Sequence, residues 1–291
     1  MTERASERWP DLFEAQAATV VHAVDQVVAA ERLEGWTPER TDVEALLSLA
    51  GGELTPDAHI RNTLARVTTR EVWTRSRWWV RPRPYLVRGT SVLRNRFDLR
   101  DADQLRDVEF AATAARLLGV HLAGPPPIRR IDADHIRNVH RQVFGDVFGW
   151  AGQHRIVELS KNGDDFASVA TIDRYLREVE IAIATVDWPR ADRGRLAYGL
   201  SAVYVTYNHA HPFREGNGRT GTLLLHQLCA ATGFRLDLSG IERTDWVAAS
   251  RDSAPFRRVG APSPRPLIPL LARALRPAQS KPSQESGANT S

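Results

Sequence analysis

Residues 209 to 225, HAHPFREGNGRTGTLLL, interrupt two apolar runs that are helical by their spacing, and that interruption restricts the fold more than any other part of the chain. Leu196, Leu200, Val203 and Tyr207 define the first helix, and Leu223, Leu224, Leu225 and Leu228 continue a second from near Arg219. Gly216, Asn217 and Gly218 fall just before the second helix starts. A glycine turn running into a helix N-terminus converges backbone N–H groups on one point, backed by the positive end of the helix dipole. That geometry cradles an anion the size of phosphate. It is not a Walker A loop, because GNGRTGT holds no lysine.

The side chains around the cradle divide into roles. Arg219 can neutralise a further phosphate with two parallel hydrogen bonds. Glu215 is a hard oxygen ligand suited to magnesium bridging phosphates. His211 titrates near neutral pH and is the natural general base for a hydroxyl nucleophile. Pro212 and Phe213 fix the loop and anchor it in the core. The set fits nucleophilic attack on a nucleotide phosphate. A zinc site is disfavoured: HExxH is absent, His209 and His211 lack a further ligand at suitable spacing, and His135 and His140 lie five apart on a helix without sharing a face.

Upstream, residues 16 to 34 place Val20, Val24, Val27 and Val28 on one helix face, with Gly35 as C-terminal cap. Thr37-Pro38 and Thr55-Pro56 each signal a helix start, and Gly51-Gly52 ends the helix between them. Three short helices bury little alone, so they need a larger unit to pack on. SRWWVRPRP (76 to 84) breaks the pattern. Helical periodicity returns over about 102 to 118 and 132 to 144, on either side of Gly124 and three prolines. Ile156, Val157 and Leu159 predict a short strand, and Asn162-Gly163 a hairpin turn. From Pro277 the tail is poor in apolar residues and reads as disordered.

Composition excludes several classes. No run approaches the ~18 apolar residues of a membrane span, and the charged start MTERASERWPDLFEA lacks a signal-peptide core, so a cytoplasmic location is expected. The single cysteine, Cys229, sits in an apolar helix and reads as core packing in a reducing compartment. Of 39 basic residues only Lys161 and Lys281 are lysine, and the arginines are scattered among 35 acids. Nucleic-acid binding calls for clustering, and none is present.

HPFREGNGR (211 to 219) resembles the signature of the Fic-domain family, and YLVRGTSVLRNRF (85 to 97), VFGDVFGWAG (143 to 152) and RIVELSKNG (155 to 163) are similar to segments preceding it in Fic toxins. The resemblance covers roughly residues 80 to 250. It implies a mainly α fold: a Fic-type helical core (76–276) with one β-hairpin flap, preceded by a three-helix inhibitory segment (1–75) and followed by the tail (277–291). It implies protein adenylylation, the transfer of AMP from ATP, with Mg2+, to a hydroxyl side chain of a target protein. His211 is then the base, Glu215 the magnesium ligand, and Phe213, Gly216, Asn217, Gly218 and Arg219 the nucleotide site. Ile156, Val157, Glu158, Leu159 and Ser160 form the flap that holds the target by strand addition. Type II topoisomerase subunits are targets of similar toxins.

AAERLEGW (29 to 36) resembles the inhibitory motif of Fic antitoxins, Ser/Thr-x-x-x-Glu-Gly or -Asn, which makes Glu34 the inhibitory glutamate. Two positions depart from the pattern. Ala30 stands where the motif has a hydroxyl residue. Thr222 stands where the Fic signature has a second arginine, one that holds the γ-phosphate and pairs with the inhibitory glutamate. Three outcomes follow: a slower adenylyltransferase, a transferase with another phosphate-containing donor, or a binding module. One charge-assisted hydrogen bond is worth about 1.5–3 kcal/mol, which favours the first. The same loss predicts looser inhibition by Glu34, unless Arg219 becomes its partner.

Overall fold

The computed structural model describes residues 3–68, 83–124, 131–161 and 164–278. The expected boundary at 75/76, the break at 76 to 82 and the Asn162-Gly163 turn lie outside them. After a short α1 (Ala5–Arg8), the N-terminal segment consists of α2 (Ala18–Leu33), α3 (Arg40–Ala50) and α4 (Pro56–Thr68). The remainder runs α5 (Ala102–Ala123), α6 (Ala133–Phe144), a hairpin of β1 (Ser160–Lys161) and β2 (Asp164–Asp165), α7 (Ile172–Ala184), α8 (Arg193–Ala210), α9 (Asn217–Cys229), β3 (Phe234–Leu236), α10 (Arg243–Asp252), α11 (Ile268–Ala274) and β4 (Leu275–Pro277).

The N-terminal segment is part of the core. α2 packs on α5, α9 and α10, and is buried almost all round between Ala23 and Leu33. Fully burying Val24, Val27, Val28 and Leu33 is worth about 6–12 kcal/mol in transfer free energy. Buried polar contacts add to it: Gln26 donates to Asp237 Oδ1 at 2.9 Å and accepts from the Leu238 amide at 2.8 Å, and Arg32 donates to the Ser239 carbonyl at 2.8 Å. On the other side, Arg116 of α5 donates to Asp146 at 2.6 Å and pairs with Asp57 of α4 at 3.4 Å.

The two Thr-Pro signals had different outcomes. α4 begins at Pro56, with Thr55 Oγ1 accepting from the Ala58 amide at 3.2 Å. α3 begins later than Thr37-Pro38 predicts, because Glu39 and Asp42 form a reciprocal capping box there. The predicted strand at Ile156 to Leu159 is corrected to irregular chain. Its backbone groups are used elsewhere: the Ile156 amide donates to Tyr85 Oη at 3.1 Å, and the Val157 carbonyl accepts from Arg155 at 2.7 Å. The hairpin consists of Ser160 opposite Asp165 and Lys161 opposite Asp164. A second two-stranded sheet, β3 with β4, joins segments with α10 and α11 between them, so no local turn marked it. Pro277, expected to open a disordered tail, is opposite Phe234 in that sheet.

Candidate active site

α8 ends at His211, whose φ of 43° is left-handed, and α9 begins after Gly216, whose φ of 82° is left-handed too. A left-handed non-glycine residue costs about 1–2 kcal/mol, and such strain tends to accumulate at functional sites. Several contacts hold His211 there. Its amide donates to the Tyr207 carbonyl at 3.0 Å, its carbonyl accepts from Arg155 Nε at 2.8 Å, and its ring stacks on Phe166 with centroids 3.6 Å apart. Nδ1 lies 3.1 Å from the Asn208 carbonyl, which can only accept. Nδ1 therefore carries the proton, leaving Nε2 as the basic atom.

Two residues that sequence reasoning missed build the loop. Arg155 is buried and donates to the carbonyls of Val157, Ala167 and Ala210 as well as His211, while its own amide donates to Pro212 at 2.8 Å. It joins the expected flap segment to the loop that carries His211. His140 donates from Nε2 to the Glu215 carbonyl at 2.9 Å and accepts at Nδ1 from the Gly152 amide at 2.8 Å. Burial pushes it down to about 3, so it stays neutral. Its ring stacks on Phe213 at 3.8 Å. A lone histidine or arginine carries no sequence signal for such tertiary roles.

The expected nucleotide residues take different positions. Phe213 is fully buried under His140 and anchors the loop. Asn217 uses its side chain on the backbone of Phe213, accepting at 2.9 Å and donating at 2.8 Å. Glu215, partly exposed, accepts from the Gly216 amide at 3.0 Å. An ideal methyl on Gly216 would meet the Phe144 ring at 2.3 Å, so only glycine fits. Thr222 is buried, and its hydroxyl donates to the Arg219 carbonyl at 3.0 Å.

Glu34 reaches this loop from α2. A full Schellman motif ends the helix: the Trp36 amide donates to the Glu31 carbonyl at 3.1 Å, that of Gly35 to Arg32 at 2.9 Å, and Gly35 takes a φ of 100°. The carboxylate lies directly on Gly218, where an ideal methyl would be 1.6 Å from Oε1. It is therefore at the N-terminal turn of α9, the expected anion cradle. Arg219 is 3% exposed and turned inward, to Glu31 at 3.3 Å and to Glu109.

These groups surround a cleft of about 350 Å3 whose lining includes Glu34, Leu159, Ser160, His211, Glu215 and Gly218. That is within the range of small-molecule sites. Of the other expected flap residues, Ile156 is 71% exposed, Val157 is half-buried, and Glu158 pairs with Arg258 and accepts from the Val169 amide. The cleft combines a base, a carboxylate and a helix N-terminus, the parts needed to move a phosphate-containing group.

Residues 130–229 match the Fic/DOC family and residues 21–66 match the antitoxin VbhA. The chain belongs to the Fic/DOC family, with an antitoxin-like segment in front. It is 34% identical over 183 residues to the probable protein adenylyltransferase y4lH of Sinorhizobium fredii, covering 60% of this chain and 91% of that protein. It is 31% identical over 171 residues to the protein adenylyltransferase VbhT of Bartonella schoenbuchensis, covering 58% of this chain but only 35% of VbhT. Among solved structures, the BepC effector of Bartonella tribocorum with bound AMPPNP superposes with a TM-score of 0.58 at 23% identity, over 67% of this chain and 97% of that one. A Bartonella quintana Fic domain with bound ADP gives 0.58 at 24%, over 67% and 96%. These two establish the fold. Among the described residues no helix is long and apolar enough to cross a membrane.

Proposed function

We propose that the chain is a protein adenylyltransferase, passing AMP from ATP to a serine, threonine or tyrosine hydroxyl of a target protein, and that Glu34 restrains it. One observation carries this reading. The basic histidine, Glu215 and Gly218 line one cleft, and the Glu34 carboxylate lies on Gly218 where a phosphate would bind. The names of the related proteins, and the nucleotides bound to the solved relatives, support ATP as donor.

In this reaction the target hydroxyl oxygen attacks the α-phosphorus, the bond to the pyrophosphate oxygen breaks, and the hydroxyl proton passes to His211 Nε2. The amides of Gly216, Asn217 and Gly218 stabilise charge on the α-phosphate, and Arg219, once released, meets the β-phosphate. Glu215 supplies a hard, partly exposed oxygen that suits magnesium; the ion would neutralise phosphate charge. Ile156 to Ser160 present the target segment to the cleft. A type II topoisomerase subunit is the first target to try, and such a target would place the enzyme in the cytoplasm.

The test uses Glu34→Gly with a bacterial lysate, magnesium and ATP labelled at either the α- or the γ-phosphate. The α-label should appear on protein and the γ-label should not. Transfer of the γ-label, or of neither, would refute adenylylation.

A further inference from the structure

Arg219 is one of two arginines of the loop, and unlike Arg214 it does not line the cleft. Its guanidinium is enclosed between the rings of Phe110 and Phe144, at 5.4 and 4.6 Å. Nη1 donates to Glu31 Oε2 at 3.3 Å and to Thr113 Oγ1 at 3.0 Å, and that hydroxyl donates onward to Glu31 Oε1 at 2.6 Å. Nη2 donates to Glu109. Glu31 is fully buried and Glu109 nearly so. Arg219 Nε, also buried, has no acceptor among the described residues.

The two acids have different origins. Glu109 comes from α5, within the catalytic unit. Glu31 comes from α2, one turn before Glu34 and on the same side of the helix. The guanidinium faces Glu31 and Glu109, with Glu215 Oε1 3.9 Å from Nη2, so acids outnumber the cation, while one of its own donors stays unsatisfied. The hydrogen bonding of this buried group is therefore incomplete in the arrangement seen.

We propose that Glu31 is a second inhibitory residue: with Glu109 it holds Arg219 in a buried clasp away from the cleft, so that the N-terminal segment blocks the site at two points. Glu34 covers the anion cradle, and Glu31 withdraws the arginine that would meet the phosphate chain. This rests on the reading that the cleft binds a nucleotide. It also accounts for Thr222. Inhibition here does not need a cation at position 222, because the segment grips position 219. The looser inhibition expected from the sequence is thereby compensated, through Glu31 and not through Glu34.

The test is titration of a non-hydrolysable ATP analogue with magnesium into Glu34→Gly, Glu34→Gly with Glu31→Gln, and each of these with Arg219→Ala. Glu31→Gln leaves the guanidinium paired with Glu109 and, at 3.9 Å, with Glu215, so the fold should hold, and a thermal melt checks it. Glu109→Gln loosens the same clasp from the other side and serves as an independent variant. Glu31→Gln should tighten binding on the order of tenfold or more, the equivalent of one charge-assisted hydrogen bond. Arg219→Ala should abolish that gain, which a purely structural role for Glu31 would not require. No gain, or a gain that survives Arg219→Ala, would overturn the proposal even if label transfer succeeds. An Arg219-dependent gain without label transfer would uphold the clasp and reject the transferase reading. Absence of binding in every variant would overturn both.

Discussion

Gly218→Ala tests whether Glu34 docks on the loop. A methyl there would lie 1.6 Å from Oε1 and 2.6 Å from Cδ of Glu34. No adjustment of a few tenths of an ångström relieves that overlap, so the carboxylate must leave. The backbone itself has no objection: Gly218 is in the first turn of α9 and is not among the glycines with left-handed φ. In a helix, alanine is about 1 kcal/mol better than glycine. Against this gain stands the docking of a carboxylate at a helix N-terminus, up to about 2 kcal/mol in a partly buried geometry. Gly218→Ala should therefore destabilise the unaltered protein by about 1 kcal/mol and stabilise Glu34→Gly by about 1 kcal/mol, a coupling of roughly 2 kcal/mol. The aliphatic burial of α2 is several times larger, so the segment stays packed in all four proteins and the cycle reads Glu34 alone. Denaturant unfolding of the four proteins measures it. Effects that add to within about 0.5 kcal/mol would refute the contact.

Other expectations are equally direct. Gly216→Ala forces a methyl into the Phe144 ring and a side chain into left-handed backbone, and should cost about 3 kcal/mol or more in a thermal or denaturant melt. Burial pushes the Glu31 carboxyl up from the ordinary 4.5 to about 7 and does the same to Glu109, against the opposing pull of Arg219. The folded state thus keeps a proton that the unfolded chain releases. The resulting stability is complete below about pH 4.5 and is lost as pH rises through about 7, at most about 3 kcal/mol per group. Melts across that window should fall less steeply for Glu31→Gln than for the unaltered protein; parallel curves would exclude Glu31 as the source. In the Glu34→Gly background, Thr222→Arg should tighten ATP binding about tenfold or more by adding a charge-assisted contact, and equal affinities would mean that position 222 does not reach the phosphates.

Local features of this molecule were legible in its sequence. The Gly35 cap and the Thr55-Pro56 start each depend on a few adjacent residues and formed as read. By contrast, α9 starts at Asn217, two residues before the expected Arg219, so that Asn217 and Gly218 lie in its first turn. Thr37-Pro38 failed because the stronger Glu39–Asp42 box lies two residues further on. The strand at Ile156 to Leu159 failed for another reason. Apolar alternation cannot reveal that Tyr85 and Arg155, one of them distant in sequence, take up the backbone groups. The β3–β4 pairing and the His140 support of the loop are likewise long-range. The site divides in the same way. His211, Glu215, Gly218 and Glu34 were identifiable from motif spacing and converge on one cleft. The same motif placed Arg219 at a phosphate, and its burial between Glu31 and Glu109 depends on two helices packing together, which no local pattern encodes.

The most direct measurement follows α-labelled ATP with magnesium and a bacterial lysate in three samples: the unaltered protein, Glu34→Gly, and Glu34→Gly with His211→Ala. The account predicts label on protein with Glu34→Gly only. Equal labelling by the unaltered protein would contradict restraint by Glu34, labelling that survives His211→Ala would contradict its role as base, and absence of label from all three would contradict adenylylation itself.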